Sequence, residues 1–507
     1  MKKLLLILVL FFTISQNAQI QKLSALSSAR FLDSQLIYDD NSEDVFGYFL
    51  LYQKDIKSST EIELEIVLLD KNLNKVGNKV LTIPHVNNWT TKGMPQLTFV
   101  QKRGNQLIIN ITEISEQFYG GAFNTYGYVE LRILDLKTFE IKPLLKDNWD
   151  INLTKKYDKV SMNRPTKNGF LSYNISFEDV MLQNRKFLKN ISEIKYFDND
   201  LKEKWAFKFN QDKKSKSYTV YNFSVEDKND LVFYKRFYEK KSDEVPDETL
   251  EFMDSNTGLS KFNYSIKGNS LVKRIFFTKT KIIIYAMECL ANRKDLFKYD
   301  KITGLQKIVL DRASGKELSY DKLEWSGLGK YFEANEFGEN KLGEYLQLLS
   351  FKFNEKTGKT AIFAEGYKPN RNSKILDGYL LELDDKMKVT QFITVPKFRN
   401  KIENVTAFGE TLASYGAFDF LYSQNLPNND GVVFYYVDNE KSAGASARKS
   451  SYVLGIVTYV DGKFDTQKIT LKTKDGNIVP LKAKQGYILL KESSKTDTEL
   501  RLEKINY

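Results

Sequence analysis

The sequence is poor in the side chains that cross-link proteins and bind transition metals. Among 507 residues there is one cysteine, Cys289, and one histidine, His85. A single cysteine excludes a disulfide bond within the chain. Zinc and copper sites draw mainly on cysteine and histidine, and a Ser-His-Asp triad needs a histidine. We therefore predict no metal site and no cofactor, and we interpret His85 as a loop residue and Cys289 as a buried, inert thiol.

Dense runs of one charge are also missing. The formal net charge is +11, with 76 Lys and Arg against 65 Asp and Glu, but basic and acidic residues alternate along nearly every segment. A nucleic-acid-binding arm would contain a block of basic residues. The alternation instead indicates solvated strand faces, and we predict no nucleic-acid partner.

A long apolar run occurs only at the N-terminus. Two lysines precede an apolar run from Leu4 to Phe12, and small and polar residues follow up to Gln19. This layout is typical of a secretory signal peptide, and the run is shorter than the roughly 20 residues of a membrane-spanning helix. We predict a cleaved signal peptide over 1–19, with an uncleaved anchor as the alternative, and no membrane span after cleavage. The composition favours a Gram-negative-type bacterium, with the protein exported to the periplasm or cell surface as a monomer.

The main feature that is present is a repeated hairpin. In "TLEFMDSNTGLSKFNYSI" (249–266) an alternating apolar strand ends in Asp, and a polar turn leads into a second strand. Asp bonds its own backbone two residues on and Gly adopts positive φ, so both favour tight turns. The segment "FKYDKITGLQKIVL" (297–310) is interpreted as another copy. Seven copies are marked by Asp70, Asp135, Asp198, Asp254, Asp300, Asp384 and Asp461.

Two further strands precede these hairpins, so the repeating unit has four strands. Examples are "RIFF" (274–277) and "KIIIYAMEC" (281–289). A four-stranded unit that recurs seven times at roughly 65-residue spacing is typical of a β-propeller. Two or three β-sandwiches are the alternative, which the constant phase of the Asp turns disfavours.

The C-terminal segments "GYILLKES" (486–493) and "ELRLEKINY" (499–507) form only half of an eighth unit. We predict that residues 20–38, including "ARFLDSQLIY" (29–38), supply the missing outer strand, since an unpaired edge is a liability. The predicted fold is all-β, a β-propeller of four-stranded antiparallel blades, with eight blades favoured over seven. It is predicted as a single domain over 20–507 with a long inter-blade insert at 311–344.

The hairpins resemble the blades of bacterial exported propeller proteins in general, because "FMDSNTG" and "KYDKITG" place Thr-Gly shortly after the Asp. This resemblance implies a fold and an interaction platform rather than an activity. The Asp box of sialidases, the Trp-rich motifs of quinoprotein dehydrogenases and WD repeats are absent from the sequence.

One class of connection between strands is long, and we predict that it forms a binding face. The segment "SEQFYGGAFNTYG" (115–127) carries aromatic rings suited to docking a protein or stacking on a sugar. The candidate binding residues are Phe118, Tyr119, Phe123, Tyr126 and, in the insert, Trp325.

The sequence assigns no catalytic residue. We predict an exported, non-catalytic binding scaffold of the cell envelope that binds a protein or a glycan. The alternative is a propeller hydrolase or lyase that acts on polysaccharide with paired carboxylates. We further predict that 114–127 and 311–344 lie on the same face.

Overall fold

The structure is a computed structural model. It describes residues 19–40, 44–85, 95–119, 122–143, 160–165, 169–176, 190–198, 202–208, 218–227, 230–238, 247–267, 269–289, 302–369, 372–398, 400–402, 409–414, 416–427, 431–441, 450–471, 477–494 and 497–506. The predicted signal peptide lies outside these residues, apart from Gln19. No helix in the described ranges is both long and apolar enough to cross a bilayer.

Strands dominate the described part of the chain, as the abundance of Phe, Tyr and branched residues predicts. The first fourteen strands are β1 (Gln19–Lys22), β2 (Arg30–Tyr38), β3 (Val45–Ile56), β4 (Glu61–Asp70), β5 (Lys75–Pro84), β6 (Gln96–Arg103), β7 (Gln106–Tyr119), β8 (Ala122–Asp135), β9 (Ile141–Pro143), β10 (Val160–Pro165), β11 (Phe170–Ser176), β12 (Asn190–Phe197), β13 (Glu203–Lys208) and β14 (Tyr218–Asp227). The remaining strands are β15 (Asp230–Tyr238), β16 (Asp247–Asp254), β17 (Ser260–Ser265), β18 (Asn269–Phe277), β19 (Lys281–Cys289), β20 (Ile302–Asp311), β21 (Glu317–Glu324), β22 (Tyr345–Phe353), β23 (Thr360–Lys368), β24 (Lys374–Leu383), β25 (Val389–Val395), β26 (Asn400–Lys401), β27 (Phe420–Asn425), β28 (Gly431–Lys441), β29 (Ser450–Val460), β30 (Lys463–Thr470), β31 (Asn477–Lys482), β32 (Tyr487–Ser493) and β33 (Thr498–Lys504).

These strands form eight sheets, each built on four strands that follow one another in space. The orders are β2-β3-β4-β5, β6-β7-β8-β9, β10-β11-β12-β13, β14-β15-β16-β17, β18-β19-β20-β21, β22-β23-β24-β25 with β26 added beside β24, β27-β28-β29-β30, and β31-β32-β33-β1. Seven of the eight therefore join sequential strands, which is the up-and-down arrangement of a propeller blade. The prediction of an all-β propeller with eight four-stranded blades is confirmed.

The eighth sheet takes its last strand from the beginning of the chain. β1 pairs antiparallel with β33, with Gln19 opposite Leu502 and Lys22 opposite Glu499. The N-terminal segment therefore supplies the missing outer strand, as predicted. The segment 29–38 does not take part, because Arg30–Tyr38 is the first strand of the first sheet.

The chain divides into two compact units. The first comprises Met1–Lys155, Tyr422–Val433 and Lys441–Tyr507, and the second comprises Lys156–Leu421 and Phe434–Glu440. Inside each unit, apolar side chains from consecutive sheets pack together. In the first unit Leu50 and Leu489 belong to one buried cluster shared by the first and eighth sheets.

In the second unit, buried clusters join the third sheet to the fourth, the fourth to the fifth and the fifth to the sixth. Face-to-face packing of this kind buries the apolar side chains that face a neighbouring sheet, which explains the alternating pattern of the sequence.

The recurring Asp residues cap the turn between the third and fourth strands of a sheet. In β16 the Asp254 carboxylate accepts the N–H groups of Asn256 and Thr257 at 2.9 and 3.1 Å, and Gly258 donates to the Asp254 carbonyl at 2.8 Å. Comparable carboxylate-to-backbone bonds are made by Asp70, Asp135, Asp198 and Asp384. The Asp repeat is thus explained by turn geometry rather than by chemistry.

The prediction of a hairpin at 297–310 was wrong. Asp300 lies outside the described residues, and Ile302–Asp311 is one continuous strand. The turn follows that strand: the Asp311 carboxylate accepts the Ser314 N–H at 2.8 Å, and Gly315 donates to the Asp311 carbonyl at 2.9 Å with φ of 70°. Asp-x-x-x-Gly occurs twice within sixteen residues, at 300–304 and 311–315. Because β20 pairs with β19 up to Asp311, only the second pattern forms the turn.

This shift also changes the segment 311–344. Glu317–Glu324 is the fourth strand of the fifth sheet and pairs with β20. Only the remainder connects blades: a 3-10 turn at Trp325–Leu328, a single helical turn at Gly329–Phe332, and two Asn-capped turns before β22.

Candidate functional site

The predicted binding loop at 114–127 is a two-stranded arm. β7 and β8 pair without interruption from Gln106–Asp135 to Tyr119–Ala122. Phe118 lies opposite Phe123, and Tyr126 lies opposite Ser115. The prediction of a loop over 114–127 was wrong. Gly and Asn are common in loops, but here only 120–121 separates the two strands. The candidate residues Phe118, Tyr119, Phe123 and Tyr126 all lie on this arm.

The arm extends beyond the flanking strands of its own sheet. β6 pairs with β7 only as far as Thr112, and β9 pairs with β8 only at Arg132–Leu134. Within the described ranges, Glu113–Tyr119 and Ala122–Leu131 therefore pair with each other and with no third strand. Each strand of the arm presents an outer edge of backbone N–H and C=O groups, the template on which a further strand can pair.

The base of the arm is fixed by a buried contact between a histidine and a carboxyl group. The Nδ1 atom of His85 lies 3.0 and 3.1 Å from the two carboxylate oxygens of Glu113, and both side chains are buried. The backbone N–H of His85 donates to the backbone carbonyl of Thr60 at 2.8 Å, which fixes the backbone position of His85 directly after β5. His85 is therefore a structural partner of the first residue of the arm, and its interpretation as a loop residue was incomplete. The sequence offered no signal, because its partner is 28 positions away.

Trp325 lines an apolar pocket in the second unit. It is 5% exposed, so its ring forms part of a wall rather than a free surface. Phe332, Phe337, Tyr345 and Tyr367 contribute further aromatic rings to its lining, which also includes aliphatic side chains such as Met287 and Ile302. Such a lining is suited to an apolar group.

A polar group stands at one side of this pocket. Gln347, which contributes to the lining, donates to the Glu410 carboxylate at 2.7 Å, and Lys273 pairs with the same carboxylate oxygen. Lys273 belongs to β18 and Gln347 to β22, the first strands of neighbouring sheets. The pair therefore joins the fifth and sixth sheets beside the pocket.

A second polar cluster is fully buried behind β23 and β24. Lys397 Nζ lies 2.8 Å from Glu365 Oε2 and 2.8 Å from Asp419 Oδ2. The side chains of Lys397 and Glu365 are both 0% exposed, and that of Asp419 is 14% exposed. Asn400 donates to the other oxygen of Asp419 at 2.8 Å. The sequence did not predict this cluster, because its members lie up to 54 positions apart.

Burial controls the protonation of this cluster. It raises the pKa of the Glu365 carboxyl and that of the Asp419 carboxyl, while the attraction of Lys397 opposes both changes. Two carboxyl groups share one lysine in a site from which water is excluded, so the cluster is electrically neutral only when one carboxyl holds a proton. The other acidic groups nearby are Asp377 and Asp438, which accept backbone N–H groups of Lys397 and Phe398.

Within the described ranges, no group of three or more His, Cys, Asp or Glu side chains is arranged to hold a metal ion.

Part of the chain matches a known family. Residues 372–506 match the model of a family described as a family of unknown function, DUF6770. This region includes Lys397 and Asp419 but not Glu365. No curated protein matches the chain.

Several solved structures are similar over most of their length at very low identity. The WD40 domain of SCAP from fission yeast is 8% identical, with 96% of this chain and 94% of that chain covered and a TM-score of 0.35. BamB from Moraxella catarrhalis is 8% identical, with 82% and 99% covered and a TM-score of 0.30. A PL25 polysaccharide lyase, an ulvan lyase, is 8% identical, with 94% and 95% covered and a TM-score of 0.33.

Proposed function

We propose that this protein is an exported, non-catalytic binding propeller of a Gram-negative-type cell envelope, and that its β7–β8 arm binds an extended strand of a partner protein. The observation that carries the proposal is the free length of the arm, Glu113–Tyr119 and Ala122–Leu131, beyond its flanking strands. Strand addition supplies affinity through main-chain hydrogen bonds, and side chains at alternate positions supply specificity.

A binding role suits the arm better than a purely structural one. A two-stranded ribbon is marginal in stability by itself, and here the buried His85–Glu113 pair anchors its base. Five aromatic residues lie on the arm, Phe118, Tyr119, Phe123, Tyr126 and Tyr128, and aromatic residues are enriched where proteins bind one another.

The polysaccharide-active alternative finds less support in the described residues. A glycosidase needs two carboxyl groups that reach the substrate. The closely spaced buried pair Glu365 and Asp419 is instead bonded to Lys397 and shielded from solvent.

The arm is tested by shortening it. Replacing 115–126 with Asn-Gly, a two-residue hairpin turn, removes most of the free edges and retains the His85–Glu113 anchor. Partners captured from an envelope extract by the full chain, and identified by mass spectrometry, are expected to be lost. A purified partner is then expected to slow amide hydrogen exchange over 113–131 of the full chain. Unchanged exchange in that segment contradicts strand addition.

A second variant separates protein binding from glycan binding. Changing Phe118, Tyr119, Phe123 and Tyr126 to Ala keeps the backbone edges and removes every aromatic ring of the arm except that of Tyr128. We expect this variant to bind the purified partner more weakly than the full chain but still measurably. If the full chain binds a glycan array and this variant does not, the result would instead support a glycan ligand.

A further inference from the structure

The cluster of Glu365, Lys397 and Asp419 has the composition and geometry of a self-reacting site. A primary amine and a carboxyl group lie in contact, at 2.8 Å between Lys397 Nζ and Asp419 Oδ2, and a second carboxyl group, Glu365, contacts the same nitrogen at 2.8 Å. The Oε1 atom of Glu365 is buried and accepts no hydrogen bond from the described residues. It is therefore available to receive and return a proton.

The surroundings hold the two reacting groups in place. The backbone N–H of Lys397 donates to Asp377 at 3.0 Å, and that of the next residue donates to Asp438 at 2.8 Å. The backbone N–H of Asp419 donates to Glu365 Oε2 at 3.1 Å. Reaction between groups fixed in this way avoids most of the entropic cost of bringing them together.

The site is largely buried and disfavours charge. Lys397 Nζ lies 5.7 Å from the centre of the buried Tyr436 ring, and its side chain is fully buried. Holding an ammonium and a carboxylate in such a site carries a desolvation cost. An uncharged product removes that cost.

We propose that Lys397 and Asp419 condense into an intramolecular amide bond, with Glu365 as the proton carrier. In the starting state Lys397 is an ammonium, Asp419 is a carboxylic acid and Glu365 is a carboxylate. Glu365 takes one proton from the Lys397 ammonium, and the amine attacks the Asp419 carboxyl carbon. The new C–N bond forms, the C–O bond of the hydroxyl breaks, and the second amine proton leaves with that hydroxyl as one water molecule.

The step is balanced in atoms and charge. The cluster is neutral before the reaction, with one ammonium and one carboxylate, and neutral after it, when Glu365 is a carboxylic acid. No oxidant, metal or co-reactant is needed. The bond closes a loop between two residues that are 22 positions apart.

The test is the mass of the purified chain. With the bond formed, its mass is about 18 Da below the value calculated from its sequence, the mass of one water. Trypsin does not cleave after an acylated lysine, so the digest contains a branched peptide that joins 389–399 to 402–441. A full sequence mass together with a free 389–397 peptide overturns the proposal.

Two matched variants assign the role of Glu365. Glu365→Gln keeps the shape of the side chain but cannot accept a proton as a carboxylate, and we expect it to retain the full sequence mass. Glu382→Gln is the control, because Glu382 is also buried and also pairs with a lysine, Lys359 at 2.9 Å. The control is expected to lose about 18 Da like the unchanged chain. A branched peptide in Glu365→Gln would overturn the role given to Glu365.

Discussion

At the scale of single residues, several buried carboxyl groups of the described residues contact a histidine or a lysine. His85 with Glu113, Lys359 with Glu382, and Lys397 with Glu365 each place a cation-forming group against a carboxylate. Such pairs contribute little net stability, because their attraction mainly offsets the cost of desolvating both groups. Removing one member is nevertheless costly, because it leaves the other buried without its partner. Single substitutions at these positions are therefore informative.

The His85–Glu113 pair gives the first prediction. Glu113→Ala removes the bonding partner of the buried His85 ring, and we expect the free energy of unfolding to fall by about 1 to 3 kcal/mol. Glu61→Ala, at an exposed position of β4, is the control and is expected to change it by less than about 0.5 kcal/mol. Urea denaturation measures both. Equal effects would show that the pair does not anchor the arm.

The turn at Asp311 gives a prediction about pH. The Ser314 hydroxyl and then the Ser314 N–H bond the Asp311 carboxylate, which lowers its pKa below the ordinary value of 3.8. A lowered pKa in the folded state contributes stability above about pH 4, and this contribution is lost as the pH falls further. Denaturation series at pH 2 to 6 are expected to show a shallower loss of stability toward low pH in Asp311→Ala than in the unchanged chain. If stability falls equally steeply with pH in both proteins, the Asp311 carboxylate does not contribute to stability as described.

At the scale of strands and turns, the pattern of residues predicted most elements and misplaced two. Alternating apolar residues with an Asp turn identified β16–β17 because every local signal agreed. Asp300 and Asp311 both precede a Gly by four residues, and only pairing with β19 separates them. The 114–127 arm was missed because Gly and Asn are common in loops, and a long ribbon is set by cross-strand pairing rather than by residue preference. The buried lysine cluster depends on contacts distant in sequence, which no local pattern encodes.

The strand that the N-terminus adds to the eighth sheet gives the third prediction. Leu23, in the 3-10 turn that follows β1, is 2% exposed and packs with the apolar residues of the first and eighth sheets. Leu23→Ala is expected to cost about 2 to 5 kcal/mol. Ile20→Ala, on the same segment but 52% exposed, is expected to cost less than about 0.5 kcal/mol. Thermal or urea unfolding of the two variants makes the comparison, and equal costs would show that this segment does not pack as described.

At the scale of the whole molecule, stability rests on packing between sheets. A chain with a single cysteine has no disulfide bond to replace lost contacts. Each of the two compact units contains apolar clusters that join neighbouring sheets. Burial is spread over many strands, so no one cluster carries the fold.

Export gives the fourth prediction. β1 extends over Gln19–Lys22, so a leader peptidase that removes 1–19 leaves Ile20–Lys22 of the strand in place. We expect the N-terminal peptide of the protein purified from a periplasmic or secreted fraction to begin at Ile20. A mature chain that begins after Lys22 would have lost β1 and would contradict the proposed processing.

The pairing of β1 with β33 also sets an order in time. Gln19 leaves the ribosome long before Leu502, yet the two lie opposite each other in one sheet. Ser24 likewise bonds Asp497, 473 positions later. β1 must therefore wait, unpaired, until β33 has been made. Contacts of such long range slow folding. In the proposed export through a channel this delay is useful, because the eighth sheet is completed only after β33 has crossed.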